Sequence, residues 1–294
     1  MLASLVSQLL VHDDAALKRS NPYSRQIATY AAHEPLLPLP TEEELRQGLR
    51  NGQFQSYFQP KFDLHSGAVR GLEVLARWEH PVLGTLAPSY FISQLMAHGL
   101  IDELLFQQLD ESAILLRQLH GLGYRLNLSL NILPEQLSHE HLVSRFRSML
   151  KRYALAGESL TLEVLESGLI GRLDDCLENC EQLRRLGCGL SMDDFGNGYS
   201  SLQRLCQLPF NEIKLDREFI RALGVDSRGQ AIVTSTLALG NALNMPVVVE
   251  GVETWEQRNN LIALGCTMAQ GFLCAQPMDR KTLLAWLPRR APWA

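Results

Sequence analysis

The stretch Leu190–Leu202, LSMDDFGNGYSSL, carries an apolar run straight into two adjacent acids, Asp193 and Asp194, and then into a loop hinged by glycines at 196 and 198. Two desolvated carboxylates side by side are costly without a counter-charge. The glycines allow a sharp turn. The run is one of a series. Short β-type segments occur at Gln55–Phe62, Val69–Leu75, Arg125–Leu130, Leu160–Leu165, Gly189–Met192, Glu212–Leu215, Pro246–Val249 and Thr267–Phe272. Helical spacing of apolar residues fills Ile101–Leu119, Leu173–Leu186, Gln230–Leu243 and Trp255–Leu264. So long an alternation implies an α/β fold with a parallel sheet covered by helices. About eight strands in about 235 residues favour a closed (β/α)8 TIM-like barrel over an open sheet. The short turn His65-Ser66-Gly67 between the first two strands predicts an antiparallel first strand.

Before the barrel, residues 1–32 read as one or two short helices, and prolines 35, 38 and 40 mark an extended linker. Thr41 and Glu44 form a capping box that starts a helix. The expected organisation is therefore residues 1–40 as a helical extension with a proline-containing linker and 41–294 as the barrel. The extension is expected to be a packing arm or an oligomer contact, with a regulatory switch as the alternative. Met1–Leu10 is apolar, but it is too short to span a membrane and lacks a basic flank. The net charge of −5 argues against a nucleic-acid polymer as partner, while leaving room for a basic pocket for a phosphorylated small molecule. Six cysteines without CxxC or zinc-type spacing predict reduced thiols and a cytoplasmic location.

Polar residues recur at the strand ends: Gln59, Glu73, Asn131, Glu163, Asp193 with Asp194, Lys214, Glu250 and Gln270. In a barrel the carboxyl ends of the strands converge on one face, which holds the active site. Glu73, Glu163, Asp193, Asp194 and Glu250 would crowd five carboxylates there, a density that cations make tolerable. With Asn131 as a neutral sixth donor and no histidine or cysteine at a strand end, the set selects a hard ion, Mg²⁺ or Mn²⁺. Adjacent aspartates suit two ions roughly 3.5–4 Å apart, as in displacement at phosphorus. Lys214 would be a charge partner or an aid to an attacking water. A lyase or isomerase with Lys214 as base and Mg²⁺ on an enolate is the other chemistry this set allows. The remaining polar clusters read as structural: His139-Glu140-His141 as the exposed start of a helix, Arg172–Asp175 as a helix start with acids facing the dipole, and Trp78 as packing. The glycine loop carries no GK[ST] and is not a phosphate cradle of that type.

These motifs together resemble a known family. YFQPKFDLHSGAVRGLEVLARWEHP is similar to the opening of the EAL domain, the cyclic di-GMP phosphodiesterase module of bacterial signalling. LSLNILPEQL, LTLEVLES, MDDFGNGYSSL, IKLDREFI, VVVEGVET and AQGFLCAQP resemble its later motifs in order, so the resemblance runs from about Glu44 to Leu287. The name-giving tripeptide is here Glu73-Val74-Leu75. The resemblance implies Glu73, Asn131, Glu163 and Asp193 as ligands of one metal, with Asp193 bridging to a second held by Asp194 and Glu250. It implies Lys214, Glu250, Glu166 and Gln270 as catalytic groups, Glu166 bracing the loop after the aspartates and Glu253 supporting nearby. Gln59, Arg77, Leu75 and Asp216 are implied as substrate contacts. The implied reaction is metal-dependent hydrolysis of cyclic di-GMP to linear pGpG, with biofilm and motility control as its setting and a homodimer as the assembly. A non-hydrolysing cyclic di-GMP receptor acting through a protein partner is the alternative. Two positions depart from the pattern. Leu133 replaces the usual serine two residues after Asn131, which predicts weaker orientation of that asparagine, and Asn197 replaces threonine in the loop. No GG[DE]EF segment occurs, so no linked cyclase is expected.

Overall fold

The computed structural model describes residues 38–165, 173–196, 201–221, 223, 227–290 and 293. In chain order the strands are β1 (Phe54–Asp63), β2 (Val69–His80), β3 (Gly84–Leu86), β4 (Asn127–Ile132), β5 (Leu160–Leu165), β6 (Gly189–Phe195), β7 (Glu212–Leu215), β8 (Val247–Val249), β9 (Met268–Gln270) and β10 (Met278–Asp279). β1 pairs antiparallel with both β2 and β9, and β2-β4-β5-β6-β7-β8-β9 run parallel between them. Eight strands therefore close a TIM-like barrel with an antiparallel first strand, while β3 and β10 extend its rim. Helices such as α1 (Glu42–Arg50), α2 (Pro88–Ala97) and α3 (Ile101–Gly121) surround it.

Local chemistry starts and stops these elements where the sequence indicates. Thr41 and Glu44 satisfy each other's backbone N–H groups at the start of α1. Thr254 and Gln257 do the same for the helix Trp255–Ala263. The hairpin from β1 to β2 is pinned by Asp63, whose Oδ1 accepts from the Ser66 amide at 2.8 Å, and Gly67 sits at φ +68°. Residues 1–37, which include most of the expected extension, lie outside the described residues, as do Glu166 and Asn197.

Alternation along the strands divides the polar from the apolar. Leu128, Leu130, Leu160, Leu162, Leu190, Met192, Ile213 and Leu215 pack outward into one core beneath the helices. A second core of Leu45, Phe54, Trp78, Phe91 and Leu95 sits under α1 and α2, where Trp78 stacks on Phe54 with ring centroids 4.9 Å apart. The inward positions are polar: Lys61, Glu73, Ser129, Thr161, Glu163, Ser191, Asp193, Lys214 and Gln270 are all buried. A barrel interior is ordinarily filled with branched aliphatic side chains. Here it is filled with charge.

The six cysteines are free thiols, with Cys206 exposed and the other five buried. No helix among the described residues is long and apolar enough to cross a membrane.

Candidate active site

Strand direction gathers the candidate residues at one mouth. Asn131 on β4 is in register with Glu163 on β5, and Leu165 is in register with Asp193 on β6. Strict alternation would point Asp193 inward and Asp194 outward. The structure differs from the sequence reading here: β6 continues through both acids to Phe195, and a bulge against β7 shifts the register between Met192 and Phe195. Asp194 takes a left-handed backbone at φ 57°, a conformation that aspartate tolerates better than most residues. The bulge brings ligand atoms of Asp193, Asp194 and Glu250 within 4.8 Å of one another.

Lys214 occupies the centre of the acids. Its Nζ lies 2.7 Å from Glu163 Oε2, 2.9 Å from Asp193 Oδ1, 2.5 Å from Glu250 Oε1 and 3.6 Å from Glu73 Oε2. Asn131 Nδ2 donates to Glu73 Oε1 at 2.8 Å, which leaves the Asn131 carbonyl oxygen as an acceptor. Gln270 Nε2 donates to Glu73 Oε2 at 2.6 Å and to Gln59 Oε1 at 2.9 Å. Leu133, where the sequence pattern predicts weaker orientation, lies two residues beyond Asn131. It is buried, and its amide is held by Gln136 Oε1 at 3.0 Å.

The electrostatics follow from crowding in a desolvated space. Burial raises Asp193 to about 6 against the pull of Lys214, with Glu163 and Glu73 adding to the rise. Burial likewise raises Glu250 to about 8, opposed by Lys214 and reinforced by Asp193 and Glu73. Asp194 is pushed well up by burial, then by Asp193, Glu250 and Asp216. Glu163 goes the other way, to about 2, because Lys214 and Lys61 outweigh its burial. Asp193, Asp194 and Glu250 form a group of carboxylates that could hold a metal ion. The donors are oxygen only, Asp193, Asp194 and Glu250 crowd one another in a desolvated space, and buried Asp193 Oδ1 lies beside Lys214 without a well-directed hydrogen bond.

The remaining expected residues spread around this centre. Asp216, directly after β7, sits against Asp194 and accepts from the Glu218 amide at 2.6 Å. Leu75 and Arg77 follow Glu73 on the same face of β2. Arg77 Nη1 donates to the Ala76 carbonyl at 2.8 Å, and its guanidinium lies 5.7 Å from the Tyr57 ring centroid. Glu166 lies outside the described residues. His139 pairs with Asp102 and His141 with Glu140, and His141 immediately precedes the helix Leu142–Tyr153.

Two hollows flank the acids. One, between the mouth and α2–α3, is lined by Glu73, Asp193, Asp194 and Lys214 on one wall and Leu75, Ile92, Leu104, Leu133 and Leu165 on the other. The second is lined by Gln59, Arg217, Arg221, Glu250, Glu253, Gln270 and Phe272. Arg217 is seated by Gly251, at φ +70°, where an added β-carbon would meet Arg217 Cβ at 2.3 Å. Sequence reasoning missed Arg217 and Arg221, although their four-residue spacing just after Asp216 was a usable signal. It also missed Lys61, Ser129 and Glu212, which lie on the inward face of β1, β4 and β7.

Comparison with known proteins places this architecture. The EAL domain profile matches residues 42–277. The chain is 45% identical over 246 residues to the cyclic di-GMP phosphodiesterase RocR of Pseudomonas aeruginosa, covering 84% of this chain and 63% of RocR. It is 39% identical over 282 residues to the cyclic di-GMP phosphodiesterase NbdA of the same organism, covering 95% of this chain and 36% of NbdA. The chain thus spans less than two thirds of either relative. Among solved structures, the PaMucR phosphodiesterase in complex with c-di-GMP superposes with a TM-score of 0.77 at 41% identity, covering 82% of this chain and 98% of that one.

Proposed function

Given that the chain belongs to the EAL domain family, we propose that it hydrolyses one phosphodiester bond of cyclic di-GMP to give linear pGpG, using two Mg²⁺ or Mn²⁺ ions. The observation that carries this reading is the convergence of Glu73, Glu163, Asp193, Asp194 and Glu250 with Asn131 and Lys214 at one barrel mouth. Glu73, Asn131, Glu163 and Asp193 would hold one ion, and Asp193, Asp194 and Glu250 the other. Ions held there would supply a water of lowered pKa and would neutralise charge developing on phosphate oxygens. Lys214 is then the group that contacts the attacking water, and Gln270 fixes Glu73 through its amide. The enolate reading has less to support it, since in the metal-free site the carboxylates of Asp193, Glu163, Glu250 and Glu73 outweigh burial and favour the charged amine of Lys214.

The two hollows support a dinucleotide substrate, since they offer a place for a nucleoside on each side of a phosphate held at the acids. Gln59, Leu75, Arg77 and Asp216 are the assigned substrate contacts, joined by Arg217 and Arg221. Glu166 is assigned to bracing the loop after Asp194. We assign residues 1–40 as an extension to the 41–294 barrel, a homodimer as the assembly, the cytoplasm as the location, and lowered cyclic di-GMP signalling in biofilm and motility control as the consequence.

Incubation of the purified protein with cyclic di-GMP and Mg²⁺ or Mn²⁺ tests the reading. It should yield pGpG, followed by chromatography, and chelator should abolish it. Tight substrate binding with no turnover in either ion would replace the enzyme with a receptor.

A further inference from the structure

Lys61 is a cation in the floor of the barrel that none of the roles above uses. It projects inward from β1, opposite Gly71 of β2 in the strand register, and is only 4% exposed. A β-carbon added at Gly71 would crowd the Asn127 carbonyl oxygen at 3.0 Å and would meet Lys61 Cδ only at an ordinary contact distance of 3.9 Å. The ammonium crosses the barrel axis and donates to Ser129 Oγ on β4 at 2.7 Å and to Glu163 Oε1 on β5 at 2.6 Å. It lies 3.4 Å from Glu212 Oε1 on β7. Glu163 is therefore shared by two ammonium groups, Lys61 on Oε1 and Lys214 on Oε2. Glu163 is fully buried, so no water competes for either oxygen.

From this arrangement we infer that Lys61 is a positioning residue for metal binding, acting through Glu163. Charge-assisted hydrogen bonds hold geometry more strongly than neutral ones, and a carboxylate offers its two oxygens to a single cation if nothing restrains it. With Oε1 held from below by Lys61, Glu163 presents Oε2 alone to the mouth. Without Lys61, Glu163 is free to turn both oxygens to Lys214, and an incoming metal ion must displace a stronger pair. Ser129 and Glu212 keep the Lys61 ammonium on the axis. Residues that orient metal ligands in this way change affinity by about 10–100-fold when removed.

The inference rests on the two-metal reading, and direct metal binding separates the two. Mn²⁺ is titrated calorimetrically into chelator-treated wild type, Lys61→Met and Ser129→Ala, with circular dichroism and metal-free melting as fold controls. Lys61→Met should bind Mn²⁺ about 10-fold or more weakly. Ser129→Ala, which keeps the charge but loosens its anchor, should weaken binding roughly 3–5-fold. Simple removal of a positive charge beside an acidic site predicts the opposite sign, so unchanged or tighter binding in Lys61→Met overturns the inference. If that variant does not fold, unchanged affinity in Ser129→Ala overturns it instead. A wild type that binds no Mn²⁺ removes the two-metal reading and this inference with it.

Discussion

Metal binding by this protein is expected to be linked to protons, and the sign follows from the acids at the mouth. In the metal-free protein Asp193 titrates near 6 rather than 3.8, and Glu250 near 8 rather than 4.5. The folded chain therefore holds protons on these groups that the unfolded chain has lost, and stability falls as pH rises from about 4 to about 8. Glu163, lowered to about 2, contributes stability that is fully present above about 4.5 and is lost only as pH falls toward 2, so it adds no slope across most of this window. Lys61 and Lys214 are raised above the usual lysine range, so neither changes charge within it. At ~1.4 kcal/mol per pH unit the Glu250 rise alone sets an upper bound of several kcal/mol. The 21% of its side chain that stays exposed, and its sharing of Lys214 with Asp193, reduce this. A fall in Tm of roughly 5–10 °C between pH 5 and 8 is expected for the metal-free protein. Divalent cations relieve the repulsion, so the stabilisation by Mn²⁺ should grow over the same interval, and its binding should release protons. Scanning calorimetry of chelator-treated protein from pH 5 to 9, with and without Mn²⁺, reads both effects. A metal-free Tm that is flat or rises across the window, or an Mn²⁺ shift equal at pH 6 and pH 8, would refute the reasoning.

Other perturbations act on single contacts. Gln270→Leu removes the donor that holds Glu73 Oε2 and Gln59, and should lower kcat about 10–100-fold with little change in the fold, read by steady-state kinetics and circular dichroism. Arg221→Met removes an exposed guanidinium from the second hollow. Calorimetry with cyclic di-GMP should then show binding about 10-fold weaker, the cost of one charge-assisted hydrogen bond, while Mn²⁺ affinity stays unchanged. Glu166→Ala should reduce turnover more than cyclic di-GMP binding, and equal losses would count against its assigned loop-bracing role. Gly157→Ala would place a β-carbon 1.9 Å from the Leu186 carbonyl oxygen, so denaturant melting should show a loss of about 1–3 kcal/mol far from the active site.

The sequence alone determined the barrel and most of the mouth, because both rest on short-range periodicity. Leu160–Leu165 and Glu212–Leu215 alternate so cleanly that their strands match the structure residue for residue. An acid at an inward position near the end of such a strand faces the common mouth. The capping box at Thr41 and the hairpin at His65–Gly67 were legible for the same reason, since the chemistry that forms them lies within a few residues. Tertiary structure alone decided how the acids meet. Alternation would have turned Asp194 away from Asp193. Only the pairing of β6 with the shorter β7 produces the bulge and the left-handed Asp194 that bring both acids to the mouth. Lys61 was hidden for a related reason. Its partners Ser129, Glu163 and Glu212 lie 68, 102 and 151 residues away, and they come together only when the sheet closes on itself. Local patterning fixes which way a side chain points along its own strand. Closure of the barrel fixes what it finds there.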